Sequence, residues 1–291
     1  MFALAEFALA SVGVDKPRTT RYRKLAPAGT SKQTENSHGR QQLRAASRAT
    51  YPLDHGSYDL QFVHADADLP NLVERLRQRP RATVCLSGPP GTGKTAFCAY
   101  LAQQLGVPFL HMRASDLLDK YVGGSEKNIA QMFATALKQR AVLLLVEADG
   151  LSHDRSHAVR GYELTQVNEI LCQMEAFDSI FVCATNLVDQ LDAASLRRFH
   201  LKIAFLAMKP EQLEQAFAKT LAALGNPSQP LDQTTLQSVR SLRGACLGDL
   251  HAARRHCEIM ADHTTAPELI AAVALELAAR AGRGQSIGFL A

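Results

Sequence analysis

One eight-residue run carries the clearest chemistry in the chain: Gly88, Pro89, Pro90, Gly91, Thr92, Gly93, Lys94 and Thr95, which fits the spacing GxxxxGK[ST]. Glycines without a Cβ let the backbone wrap closely round phosphate groups and turn its N–H donors inward. The helix predicted to open at the end of the run adds the positive field of its N-terminus. Lys94 can then reach the β and γ phosphates of a nucleotide, and the Thr95 hydroxyl can ligate Mg²⁺. Taken alone, the run specifies polyphosphate binding without separating ATP hydrolysis from GTP hydrolysis or small-molecule phosphorylation.

A phosphate loop works only if a strand delivers it and a helix leaves it, and the flanking sequence supplies both. Apolar, strand-like runs lie at 82–87, 108–112, 141–146, 179–184 and 201–205. Between them, 95–105, 125–138 and 162–175 place apolar residues three or four apart, the spacing of helices packed on a sheet. That alternation predicts an α/β fold: a five-stranded parallel sheet with helices on both faces, the P-loop NTPase architecture. After residue 205 the strand signals stop, and 209–224, 232–242, 248–260 and 267–279 read as helices, giving a small all-α lid domain. The expected boundaries are an N-terminal arm at 1–50, the α/β domain at 51–207 and the helical domain at 208–291.

At 291 residues and 46% apolar composition the chain can bury a substantial core. No run approaches the ~20 uninterrupted apolar residues of a membrane span, which argues against membrane insertion. The six cysteines show no CxxC pairing and sit mostly in apolar runs, where a thiol behaves as a small hydrophobe. A reducing, cytoplasmic setting is expected, and a cysteine metal site is not. Residues 16–48 hold nine Lys or Arg against one acid, Glu35, in a polar stretch without apolar periodicity. This reads as a disordered basic arm; contact with nucleic acid is the other use of such a charge run.

With the P-loop, several further motifs in order make residues 58–255 resemble the AAA+ superfamily, specifically its AAA clade. The apolar run ending at Val146 is followed by Glu147, where the family reads hhhhDE. The resemblance implies that Glu147 polarises the attacking water, while Val146 replaces the aspartate that supports Mg²⁺. Nucleotide binding is expected to survive that change, and hydrolysis is what it touches. Asn186, closing FVCATN, is similar to the family's sensor 1. Arg197 and Arg198, in LDAASLRRFH, resemble the arginine fingers that reach a neighbouring subunit's nucleotide, and His200 departs from the family's aspartate.

The stretch DKYVGGSEKN is similar to the family's first pore loop, with Tyr121, Val122 and Gly123 as the residues that would grip a threaded polypeptide. Residues 151–160 stand where a second pore loop would. Gly248 and Asp249 resemble the start of the lid helix facing the nucleotide, and Arg254 is placed as a sensor 2 arginine. Residues 58–63 stand where the family cradles adenine, chiefly by backbone. The resemblance implies ATP and Mg²⁺ as ligands, a homo-oligomer in the form of a hexameric ring, and a protein substrate. Three readings follow: a protein-remodelling ATPase, an ATP-holding scaffold or regulatory subunit in which Val146 slows or stops hydrolysis, and a DNA-acting AAA+ protein.

Overall fold

The computed structural model describes residues 58–119, 121, 123–147, 161–187, 193–225, 231–260 and 263–282. The basic arm, Val122 of the first pore loop and the whole of 151–160 lie outside the described residues.

Six strands form one sheet: β1 (His64–Ala65), β2 (Ala82–Ser87), β3 (Phe109–Arg113), β4 (Val142–Val146), β5 (Ile180–Ala184) and β6 (Leu201–Leu206), in the order β1-β6-β2-β5-β4-β3. The pairings among β2 to β6 are all parallel, as the strand–helix alternation predicts. The addition to the expected five is β1, a two-residue strand antiparallel to β6 with His64 opposite Leu206. So short a segment carries no period-2 signal and is held by main-chain pairing to an edge.

The central strands are buried on both faces, which is why they read as continuous apolar runs instead of alternating ones. Against one face, Leu143, Leu145, Phe181 and Cys183 pack with Ile129, Met132 and Phe133 of α3 (Gly124–Gln139) and Leu171 and Met174 of α4 (Gly161–Ala176). Against the other, Val84, Leu86, Val142, Leu144 and Val182 pack with Phe97, Cys98 and Leu101 of α2 (Lys94–Leu105) and with α1 (Leu69–Gln78). A single turn, α5 (Ala193–Arg197), precedes β6.

The remaining helices, α6 (Pro210–Ala223), α7 (Gln233–Ser241), α8 (Leu247–Met260) and α9 (Ala266–Gly282), enclose a separate core built on Leu213, Phe217, Val239, Leu250, Ala253, Leu269 and Val273. Pro210 opens α6 at a position where its missing N–H costs nothing. Asp232 caps α7 by accepting from the Thr235 N–H at 3.1 Å. Asp249 is buried in the first turn of α8 and accepts from Arg280 of α9 at 2.7 Å and from the Cys246 N–H at 2.7 Å. These contacts lock the start of α8 in place. Burial pushes the Asp249 carboxyl above its usual range, against the opposing pull of the Cys246 N–H and of Arg280.

Candidate nucleotide-binding site

The eight-residue run leaves the end of β2 and enters α2, as its spacing requires. Gly88 has φ 130°, and a Cβ there would lie 2.0 Å from the Phe205 carbonyl oxygen, so only glycine lets the loop turn against β6. Lys94, at 8% exposure, is folded under the loop. Its ammonium donates to Gly88 O at 2.6 Å, Pro89 O at 2.9 Å and Asn186 Oδ1 at 2.9 Å. The Thr92 hydroxyl donates to Pro89 O at 2.9 Å and stiffens the same turn.

The helical part reaches the loop through its backbone. Gly248 N–H donates to Gly91 O at 2.8 Å, and a Cβ on Gly248 would meet the Gly91 Cα at 2.6 Å. Two glycines are therefore needed for this approach.

Between loop, strand ends and α8 lies a cavity of about 500 Å³. It is lined by Pro90, Gly91, Gly93, Lys94 and Thr95 from the loop and by Glu147 and Asn186 from the ends of β4 and β5. Tyr58, His111, Arg113, Val146, Leu247, Gly248 and His251 complete the wall. The structure thus brings the expected loop, the expected carboxylate and the expected asparagine to one place. Glu147 adopts φ 57°, a left-handed conformation costly for a side chain with a Cβ and one that aims this residue off the line of its strand.

Other expected residues lie elsewhere. Arg197 is exposed at the end of α5, and Arg198 pairs with Glu175 at 2.8 Å. The Arg198 carbonyl accepts from the Thr83 hydroxyl at the start of β2, so both arginines sit at the end of the sheet opposite the phosphate loop. They do not line this molecule's cavity. His200, which departs from the family's aspartate, has a structural role: its Nδ1 accepts from the Thr83 N–H at 3.1 Å and fastens the entry of β6 to β2. Tyr121 is 62% exposed, with its N–H on Asp119 Oδ1 at 3.0 Å, and Gly123 caps the start of α3. Arg254 donates to Glu258 at 2.7 Å and is not among the cavity residues; His251, a turn earlier on α8, is.

Sequence reasoning missed His111 and Arg113, and it expected Tyr58 to contribute backbone where its side chain lines the cavity. Tyr58 packs in a tilted contact at 5.4 Å on Tyr100, beside Gly93, and its hydroxyl is buried without a hydrogen-bond partner among the described residues. Burial holds the phenol well above its ordinary pKa, so it stays a donor. His111 and Arg113 belong to no motif; they line the cavity because β3 ends beside β4. Burial and the Arg113 charge push His111 below the usual imidazole value, while Asp116 and Glu147 pull the other way.

The donors present fit a magnesium ion carried in by a nucleotide's own phosphates and touched by Thr95. They do not fit an ion held by the protein, since Val146 offers no oxygen beside Glu147. Among the described residues no cluster of His, Cys, Asp or Glu could hold a metal ion, and no helix is long and apolar enough to cross a membrane.

Residues 84–206 match the family model "ATPase family associated with various cellular activities (AAA)". The chain is similar to the Peroxisomal ATPase PEX1 of Homo sapiens, 28% identical over 69% of this chain and 16% of that one. It is also similar to the ATP-dependent zinc metalloprotease FtsH 3 of Sphaerobacter thermophilus, 34% identical over 61% of this chain and 38% of that one. With the Nuclear valosin-containing protein-like of Mus musculus it shares 33% identity over 62% of this chain and 22% of that one. The chain therefore spans well under half the length of these curated relatives. Among solved structures, the FIGL-1 AAA domain superposes with a TM-score of 0.52 at 25% identity, covering 77% of this chain and 84% of that domain. By the sheet order, the phosphate loop under the lid helix and these matches, the chain carries an AAA+ α/β ATPase core.

Proposed function

We propose that the chain binds ATP in the cavity beneath the Gly91–Gly248 contact and hydrolyses it as one unit of a homo-oligomeric ring, hexameric by family resemblance, that remodels or threads a protein. The observation that carries this reading is the convergence of Lys94, Thr95, Asn186 and Glu147 on one cavity.

In this mechanism the loop N–H groups and Lys94 hold the phosphate chain, with Lys94 exchanging a loop carbonyl for a phosphate oxygen. Tyr58 and Leu247 flank the adenine end, where the Tyr58 hydroxyl finds an acceptor. Thr95 would hold Mg²⁺, which would supply positive charge to the phosphate oxygens. Glu147 accepts the proton of the attacking water, and Asn186 orients that water from the neighbouring strand. Arg197 and Arg198, remote from their own cavity, complete the site of an adjacent copy and neutralise transition-state charge there. Tyr121, with Val122 and Gly123, grips an extended polypeptide in the ring's channel, in keeping with its exposure. The cysteines, none in a disulfide among the described residues, accord with the proposed cytoplasmic setting.

Val146 favours a second reading, in which ATP is held and turned over slowly as a structural or regulatory ligand. Steady-state phosphate release across a protein concentration series separates the two. Specific turnover that rises with concentration and disappears in Glu147→Gln supports the ring ATPase. ATP binding with no turnover at any concentration leaves the nucleotide-holding reading standing instead.

A further inference from the structure

The wall of the cavity facing the phosphate loop is basic. Along β3, His111 and Arg113 alternate with the buried Leu110 and Met112, so they share the sheet face on which α2 packs, and both line the cavity. In the parallel ladder Arg113 stands beside Val146 and His111 beside Leu144. Val146 brings no charge to this wall, and the next strand over brings a guanidinium. Asp116 accepts from the Arg113 main-chain N–H at 3.1 Å, and among the described residues no carboxylate forms an ion pair with the Arg113 side chain. Among the described residues, the formal charges lining the cavity are Lys94 and Arg113 against Glu147, with the imidazoles of His111 and His251 beside them. An array with two fixed cations and one carboxylate, the latter exposed at a strand end, suits an anion better than a metal ion. The planar guanidinium fork matches the oxygens of a terminal phosphate.

Resting on the ATP-binding reading, we propose that Arg113 is the residue that recognises the terminal phosphate of the nucleotide in this cavity. It supplies, next to Val146, positive charge that makes nucleoside triphosphate binding largely independent of a divalent cation. Lys94 grips the phosphate chain from the loop side and Arg113 from the β3 side, with the uncharged Val146 between them. A neutral His111 behind Arg113 adds no competing cation and can donate one hydrogen bond. Because ADP lacks the terminal phosphate, Arg113 discriminates ATP from ADP.

The test is calorimetric titration of the full chain with ATP and with ADP, each in Mg²⁺ and in EDTA, for the parent, Arg113→Gln, Arg113→Met and Lys94→Ala. The expected parent affinity for ATP changes less than about threefold on removing Mg²⁺. Arg113→Gln and Arg113→Met each lose roughly tenfold or more for ATP in EDTA, but less than about threefold for ADP, which also shows that the variants are folded. Parent binding that collapses in EDTA, or Arg113 variants that keep the parent's ATP affinity while Lys94→Ala loses it, overturns the role of Arg113 and leaves ATP binding intact. A parent that binds neither nucleotide under either condition overturns both readings.

Discussion

On the β2 side of the cavity Lys94 spans two loop carbonyls and Asn186, and Thr92 closes the turn onto Pro89. On the β4 side Val146 presents only methyl groups, Glu147 is exposed in a left-handed conformation, and two basic residues arrive from β3. The first wall has every residue type that phosphate binding requires. The second, to which the proposed function assigns hydrolysis, has a different electrostatic composition. On the proposed function, binding and turnover would rest on separable sets of residues, so that altering one need not disturb the other.

The largest effect is expected on the loop side. In Gly88→Ala the new Cβ meets the Phe205 carbonyl oxygen and the positive φ becomes strained, so the loop must move off β6. A loss on the order of 3 kcal/mol is expected by denaturant titration, together with loss of ATP binding. Unchanged stability would show that the loop can settle elsewhere and that the order of this wall is not intrinsic. A smaller, opposite effect is expected across the cavity. Val146→Asp places a carboxylate beside Glu147 and next to Arg113, and should raise phosphate release about tenfold while making it steeply Mg²⁺-dependent. No gain in rate would mean that the β3 side chains, and not the valine, set the character of this wall.

The smallest effect concerns acid. His111 titrates below its ordinary value of 6.5 in the folded protein, because burial and Arg113 disfavour its cation. The unfolded chain then binds more protons than the native one, so stability is complete above about pH 6.5 and falls as pH drops toward the lowered folded value. A decrease in Tm of about 1–2 °C between pH 7 and 5 is expected from this group, abolished in His111→Gln. An undiminished acid shift in the variant would assign it to other groups.

The loop-side wall was legible in the sequence because its function depends on residue types at fixed spacing, and local spacing is what a sequence displays. The second wall was legible only at Glu147 and Val146. Arg113 owes its place to the pairing of β3 with β4, a contact between segments more than 30 residues apart that no local pattern encodes. The stretch holding Tyr58 was placed from the sequence, but its side-chain part was not, since the ring lies at the cavity by packing on Tyr100. On α8, Arg254 was expected as the phosphate-sensing residue, but it lies about 4.5 Å further along the helix than His251. His251 faces the cavity, whereas Arg254 engages Glu258. Helix ends came within a few residues of expectation, α3 spanning Gly124–Gln139 where the apolar spacing indicated 125–138.

The Gly248 to Gly91 hydrogen bond works mechanically as a pin joint. While this bond holds, a swing of the helical part away from the sheet pulls on the phosphate loop, so opening of the proposed site and loosening of the loop are coupled through it. Because the joint is main chain on both sides, surface substitutions on α8 can change what pulls on it without changing how the pull is transmitted.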